Sequence, residues 1–136
     1  GLLGLTRITQ FRSTLARLES KTRIHSYCGA GQSLVQADTK TDLFTCNWLM
    51  SDSSEKVQLS QWPARQATLI EMNNCGSCWA RHLCGGGCMA VHKAKTGSKH
   101  SKDPAFCFRQ RSLAALAIIY YYESLTNQNK TATSVA

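Results

Sequence analysis

Seven cysteines dominate the chemistry that this 136-residue sequence could perform. Cys75, Cys78, Cys84 and Cys88 follow one another with the spacing Cys-x2-Cys-x5-Cys-x3-Cys, and residues 85–87 are all glycine. Thiolates this dense are what a metal centre needs when several sulfurs must converge from one tight loop. Glycines let backbone N–H groups approach bridging sulfides closely, so the pattern favours an iron–sulfur cluster. The remaining cysteines are Cys28, Cys46 and Cys107.

Two other uses of cysteine compete with a cluster. A disulfide scaffold would leave one thiol unpaired because the count is odd, and residues 1–20 contain no secretory signal. All-cysteine zinc sites usually draw on two well-separated Cys-x2-Cys pairs. This chain has one such pair, Cys75 and Cys78, so zinc is the stronger of the two alternatives but fits less well than a cluster.

A helix and a hairpin are predicted to precede the cysteine-rich segment. Residues 10–18 carry apolar side chains at helical spacing and predict a helix that leads into the module. Residues 33–37 and 43–49 flank a polar tip and predict a β-hairpin that positions Cys28 and Cys46.

A polar linker and a second short helix are predicted to follow the hairpin. Residues 50–62 begin as a polar linker, and residues 65–72 predict a short helix that delivers Cys75.

The C-terminal part predicts a longer helix. Asp103 suits the N-cap and Pro104 the first helical position, which puts Cys107 in the first turn, where the helix dipole favours a thiolate. Residues 113–122 are apolar nearly all round but are fewer than the about 20 that span a bilayer, so packing against protein is expected. Residues 127–136 predict a disordered tail.

The charge of the chain invites a nucleic-acid interpretation. The formal net charge is +8, and no acidic residue occurs between Met72 and Lys102. Seven thiolates bound to two [4Fe–4S] clusters would reduce that charge to about +5, and a solvated basic loop is the simpler explanation. We therefore expect neither nucleic acid nor a membrane as a partner.

Weaker candidates are also present. No catalytic triad or pair of catalytic carboxylates can be assembled. Trp79 and Arg81 lie inside the cysteine-rich loop and could shield a cluster, touch substrate or simply pack. Four histidines could ligate iron, but surface or loop positions are expected for them. These are His25, His82, His92 and His100.

The complete cysteine pattern resembles the SPASM domain, the auxiliary-cluster module found at the C-terminus of many radical S-adenosylmethionine enzymes. Cys28 and Cys46 match its opening pair, the run that begins at Cys75 matches its centre, and Cys107 matches its closing cysteine. The local sequences YCGAG, WAR, CGGGC and DPAFC are also similar to those of the family.

The resemblance implies an α+β fold: a small β-hairpin, short helices and cysteine-rich loops around two [4Fe–4S] clusters. The first auxiliary cluster would be held by Cys28, Cys46 and Cys88. Its fourth position would be left to a substrate thiolate, water, a cysteine of an upstream domain, His25 or Asp38. The second auxiliary cluster would be held by Cys75, Cys78, Cys84 and Cys107.

The function that the resemblance implies is that of a cytoplasmic radical S-adenosylmethionine maturase that modifies a peptide or protein. Thioether-forming enzymes and quinohemoprotein amine dehydrogenase maturases look most similar. An upstream radical domain with S-adenosylmethionine and a third [4Fe–4S] cluster, a peptide or protein substrate, and an electron donor such as flavodoxin or ferredoxin would be its partners. A standalone iron–sulfur electron carrier and a zinc-stabilised interaction module are the alternatives.

Two departures from the family qualify this expectation. The Gly-x4-Cys glycine of the family is Thr41 here, which predicts a different turn at the hairpin tip. The Cys-x3-Cys-x2-Cys motif that cleaves S-adenosylmethionine is absent, so this stretch alone should not be catalytic. The domain organisation predicted is a helical lead-in at 1–23 from an upstream barrel, the auxiliary domain at 24–126 and the tail at 127–136.

Overall fold

The computed structural model describes residues 2–62 and 67–133, which form helices and a small three-stranded antiparallel sheet. The predicted α+β class is confirmed. The helices are α1 (Thr9–Glu19), α2 (Leu69–Met72), α3 (Arg81–Cys84), α4 (Met89–Thr96) and α5 (Pro104–Thr133). The strands are β1 (Gln36–Ala37), β2 (Leu43–Phe44) and β3 (Lys56–Val57). Short 3₁₀ segments cover Leu2–Arg7, Asn47–Leu49, Ser53–Glu55 and Leu59–Gln61.

Helix α1 packs along α5 and forms one of the two apolar cores. Phe11 is fully buried, and its ring meets Tyr120 edge to face with 5.8 Å between the ring centroids. Ala114 and Ala117 are buried on the same stretch of α5. Their small side chains allow the two helices to approach closely, so this contact anchors the first and last helices to each other.

The second core joins the hairpin region to the cysteine-rich half. It comprises Ala30, Cys46, Leu49, Leu69 and Met89, which come from four separate parts of the chain. Cys46, which lies between β2 and the 3₁₀ segment Asn47–Leu49, is therefore held by packing. Burial of these side chains is what brings α2 and α4 against the segment that follows β2.

The predicted hairpin is present, but its strands are shorter and a third strand joins it. Gln36 pairs with Phe44 and Ala37 with Leu43, while Leu43 also pairs with Val57 on the opposite edge. The polar linker predicted for residues 50–62 is wrong in this respect, because that segment supplies β3 and two 3₁₀ turns. Strands of two residues carry too little alternation to be visible in a sequence pattern.

The turn at the hairpin tip differs from the expectation. Thr41 has a φ of 66°, the left-handed conformation that a glycine would adopt there. The side chain of Asp38 holds the turn by accepting hydrogen bonds from the backbone N–H groups of Lys40 (2.8 Å) and Asp42 (2.9 Å). The prediction of a different turn is therefore wrong: Thr41 keeps the left-handed turn at the cost of strain.

Helix α5 begins as predicted and continues further than predicted. The carboxylate of Asp103 accepts the N–H groups of Ala105 (3.3 Å) and Phe106 (3.0 Å), which caps the helix. Backbone helix extends through Thr133, into the segment predicted as a tail, because no glycine or proline interrupts it. Residues 134–136 lie outside the described residues.

Only part of the apolar stretch 113–122 packs against protein. Ala114 and Ala117 are buried, whereas Ile118, Ile119 and Tyr122 are exposed. Within the described ranges, no helix combines the length and apolar character needed to cross a membrane.

An ion-pair cluster ties the sheet region to α4. Glu55 is buried, and its two carboxylate oxygens accept hydrogen bonds from Lys93 and Lys99 at 2.5 Å each. Lys93 also pairs with Asp52 at 2.6 Å. Although burial opposes the charge of Glu55, the two lysines outweigh it and hold the pKa of Glu55 below its ordinary value.

Replacing the strained threonine should stabilise the protein. We expect Thr41→Gly to raise the free energy of unfolding by about 1 kcal/mol, because glycine adopts φ 66° without steric strain. Thr39→Gly, in the same turn, is the matched control and should lower stability by roughly 0.5 kcal/mol through entropy alone. Urea unfolding of the metal-free protein measures both, and a loss of stability in Thr41→Gly would contradict the interpretation.

The contribution of Glu55 should depend on pH. Because its folded pKa is depressed, its stabilisation is present above the unfolded value of about 4.5 and is lost as pH falls through the folded value. Glu55→Gln should therefore cost roughly 1–2 kcal/mol at pH 7 from weakened hydrogen bonds, and the difference from wild type should shrink towards pH 3. Glu19→Gln, at the exposed end of α1, is the control; an equal pH dependence in both variants would refute the role of Glu55.

Candidate metal centre

Four of the predicted ligands surround one cavity. Cys75, Cys78, Cys84 and Cys107 all line a cavity of about 290 Å³. They reach it from the loop after α2, from the end of α3 and from the first turn of α5. The rest of the lining consists of glycines, cations, apolar residues and one amide, namely Gly86, Gly87, Arg81, Lys102, Arg111, Ala80, Pro104, Phe106 and Gln110.

The Cys75 side of the cavity is built by a capped helical turn. The side chain of Thr68 accepts the N–H of Glu71, and the side chain of Glu71 accepts the N–H of Thr68, so α2 begins with a complete capping box. The helix ends at Met72, and the left-handed Asn74, with a φ of 48°, then turns the chain into Cys75. The helix predicted over residues 65–72 is thus four residues long, and 65 and 66 lie outside the described residues.

Arg81 fixes the loop between the first two ligands. Its guanidinium donates to the carbonyl oxygens of Gly76 (2.9 Å) and Cys78 (3.3 Å). Trp79 is 55% exposed and is not part of the lining. Of the two residues singled out in this loop, Arg81 therefore has a positioning role and Trp79 faces solvent.

The glycine triplet makes the closest backbone contacts around the site. Gly85, Gly86 and Gly87 all have positive φ, at 76°, 87° and 87°. A Cβ on Gly85 would lie 2.5 Å from the carbonyl carbon of Ser26, and one on Gly86 would lie 2.3 Å from that of Leu69. The triplet is thus required first by backbone packing, beyond the approach of N–H groups to sulfur that its sequence suggested.

Two side chains clamp the triplet. Asn73 is buried, and its amide donates to the carbonyl of Gly86 at 2.7 Å. His92 has 0% exposure; its Nδ1 accepts the N–H of Asp103 (3.2 Å), so the ring proton is on Nε2, 3.4 Å from the oxygen of Gly86. Burial lowers the pKa of His92 and favours this neutral form.

The surface or loop position expected for His92 is therefore wrong. His92 is a buried connector between the glycine triplet and the start of α5. Of the other three histidines, His25 and His100 are exposed, as expected, whereas His82 is half-buried in α3 and differs from the expectation.

Burial raises the pKa of three thiols around the cavity, those of Cys75, Cys84 and Cys107. Burial raises the pKa of Cys84 to about 11, although backbone N–H groups of Gly86 and Gly87 point the other way by hydrogen bonding to its sulfur. Burial also raises the pKa of Cys75, which Lys102 partly offsets. A metal that binds here must therefore displace protons, and its affinity must rise with pH.

The prediction that the position of Cys107 favours a thiolate is wrong, because the pKa of Cys107 is raised overall. Burial raises the pKa of Cys107, and Arg111 and Lys102 lower it only in part. The first turn of a helix favours a thiolate, but the desolvation of a partly buried sulfur is the larger effect here. The cations Arg81, Lys102 and Arg111 nevertheless give the cavity a lining suited to an anionic occupant.

The other three thiols form a separate group. Burial raises the pKa of Cys46, the N–H of Trp48 lowers it, and the neighbouring Cys88 and Cys28 raise it further, so the three sulfurs are within electrostatic range. Cys28 is exposed, Cys46 buried and Cys88 half-buried at the start of α4. None of these three cysteines is among the lining residues of the cavity.

Neither side chain proposed as a fourth ligand of the first cluster is free of other contacts. Asp38 accepts two backbone hydrogen bonds at the hairpin tip. His25 packs its ring edge to face against His82, with 5.0 Å between the centroids.

Comparison with known proteins adds no assignment. No protein family, curated protein or solved structure matches the chain. Within residues 2–62 and 67–133, no group of three or more His, Cys, Asp or Glu side chains is arranged to hold a metal ion. The four cysteines line the cavity without being drawn together at its centre.

The importance of the glycine triplet can be tested against a glycine in the same loop. Gly86→Ala should lower the free energy of unfolding by roughly 3 kcal/mol or more, because its Cβ would meet the backbone of Leu69 at 2.3 Å in a left-handed conformation. Gly76→Ala should change stability by no more than about 0.5 kcal/mol, since nothing lies within 4 Å of its Cβ. Thermal unfolding of the metal-free protein measures both, and equal effects would refute the packing argument.

Proposed function

We propose that this chain is the auxiliary iron–sulfur domain of a radical S-adenosylmethionine maturase that modifies a peptide or protein. The observation that carries the proposal is the grouping of the seven thiols. Cys75, Cys78, Cys84 and Cys107 line one cavity, and Cys28, Cys46 and Cys88 lie apart from it. The SPASM resemblance, which rests on the sequence alone, implies the same division of ligands.

The residues around the cavity fit a [4Fe–4S] cluster. Four thiols suit its four irons, and the N–H groups of Gly86 and Gly87 are available to sulfur. Arg81, Lys102 and Arg111 would offset the negative charge of the ligated cluster. When bound, such a cluster would accept and release single electrons.

The size of the cavity favours a cluster over zinc. Four thiolates close around a zinc ion at about 2.3 Å, so a structural zinc site needs no enclosed volume beyond the ion. The volume of about 290 Å³ between these cysteines suits a polynuclear group. The chain's own contribution is to hold the ligands on rigid elements and to surround them with positive charge.

Cys28, Cys46 and Cys88, the ligands proposed for the first auxiliary cluster, would give the domain a different type of site. Cys28 is exposed, so a cluster held by Cys28, Cys46 and Cys88 would be open to molecules from solvent. A substrate thiol could reach that position through the exposed side of Cys28. We infer that the first site faces the peptide or protein substrate and that the second relays electrons supplied by a flavodoxin or ferredoxin.

Metal analysis tests the proposal directly. After anaerobic reconstitution of the full chain, we expect about eight iron and eight sulfide per protein, from two [4Fe–4S] clusters. Cys107→Ala should damage one cluster and Cys28→Ala the other, as recorded by Mössbauer spectroscopy. Stoichiometric zinc without sulfide would exclude the proposal, and loss of the same cluster in both variants would exclude the division of ligands.

The maturase assignment has its own test. The coding sequence that adjoins Gly1 should specify a radical domain with a Cys-x3-Cys-x2-Cys motif. Two clusters in a protein without that motif would instead indicate an electron carrier.

A further inference from the structure

Gln110 has a buried hydrogen-bond donor that the fold does not use. Gln110 is 6% exposed, and its side-chain Nε2 has no hydrogen-bond partner among the described residues. Native proteins pair nearly all buried amide groups, because an unpaired donor loses its bonds to water without replacement. An orphan donor of this kind indicates a partner that is not part of the polypeptide.

The position of Gln110 indicates where that partner lies. Gln110 lines the cavity of the four cysteines. It follows Cys107 by three residues on α5, so the two side chains share one face of the helix. Arg111, one residue further, lines the same cavity. Gln110 therefore lies on the ligand-bearing side of α5.

A second cavity offers the competing explanation. Gln110 also lines a cavity of about 190 Å³, whose other lining residues are Thr9, Gln10, Ser13, Thr14, Arg17 and Tyr27. Two of these polar groups already have partners: the hydroxyl of Thr14 donates to the carbonyl of Gln10 (2.8 Å), and Arg17 donates to that of Leu83 (2.7 Å). Arg17 is itself a donor and cannot accept from the amide. The hydroxyl groups of this second cavity can accept a hydrogen bond, so its acceptors alone do not decide the partner. The helix face that Gln110 shares with Cys107 favours the thiol-lined side.

We propose that Gln110 is a positioning and tuning residue, whose amide N–H donates to a sulfur of the group held by Cys75, Cys78, Cys84 and Cys107. The inference rests on the proposed function, because it requires a sulfur-ligated cluster in that cavity. Hydrogen bonds to cluster sulfurs stabilise the reduced, more negative state and so raise the reduction potential. A neutral buried donor does this without adding charge and without sensitivity to salt.

The experiment measures the potential of this cluster in the reconstituted full chain. The cluster is identified as the one whose signal Cys107→Ala removes, and its reduction is followed by electron paramagnetic resonance in a redox titration. Gln110→Met keeps the length of the side chain but removes the donor. We expect the equilibrium constant for reduction of this cluster to fall about tenfold, which lowers its reduction potential by about 59 mV.

Three further variants separate hydrogen bonding from other effects. Gln110→Glu replaces the amide by an isosteric group with negative charge, and should lower the potential at least as much. Arg111→Met removes an exposed cation of the lining, so any shift it causes should shrink at high salt, whereas the Gln110→Met shift should persist. Gln58→Met makes the same chemical change at an exposed position and should leave the potential unchanged.

The outcomes distinguish this inference from the proposed function. An unchanged potential in Gln110→Met with full iron content overturns the role of Gln110 alone and assigns its donor to the second cavity. Failure of both Gln110 variants to take up iron, while wild type does so, makes Gln110 a folding residue and also overturns it. A wild-type chain that binds no iron and sulfide overturns the proposed function as well.

Discussion

The close approach of the backbone at Gly85–Gly87 is the constraint on which the rest of the structure depends. The triplet packs directly against the chain at Ser26 and at Leu69, and His92 fills the space beside Gly87. Each of these contacts belongs to a segment that carries a cysteine: one precedes Cys28, one precedes Cys75 and one follows Cys88. Because glycine alone fits this left-handed path, three distant parts of the chain meet at one point and bring their thiols with them. These backbone contacts therefore help to position the segments that carry the ligands.

This arrangement separates two tasks that a metal site often combines. Backbone contacts and the ion pairs of Glu55 hold the cysteine-bearing segments. Burial raises the pKa of the Cys75, Cys84 and Cys107 thiols, so a metal that binds them must displace their protons. The cations on the cavity wall then favour an occupant of negative charge. The other set of cysteines is more open, since Cys28 is exposed. A domain built in this way can offer one protected and one accessible centre within a small fold.

How far the sequence predicts this structure depends on the length of the signal. The helix at Thr9–Glu19 and the start of α5 at Asp103 were predictable, because periodicity and capping are local. Strand β3 was not, since two residues carry no pattern, and its place depends on pairing with Leu43. The burial of His92 depends on contacts with Gly86 and Asp103 that no local rule specifies. The capping box at Thr68–Glu71, by contrast, is a local signal in the sequence that the helix predicted over residues 65–72 missed.

The candidate site was more predictable than the fold around it. Ligand spacing marks the run from Cys75 to Cys88 as a metal-binding segment, because metal ligation requires particular residue types at short separations, and Cys75, Cys78 and Cys84 of that run line one cavity with Cys107. The contacts that Asn73, Arg81 and Gln110 make around the site use common residues and leave no such pattern in the sequence.

The burial of His92 has a practical consequence. Both ring nitrogens of His92 are engaged, so its tautomer is fixed and its Nε2 proton is shielded from solvent. In the metal-free protein, that proton should give a slowly exchanging nuclear magnetic resonance signal, a spectroscopic reporter of whether the glycine triplet is docked against the start of α5.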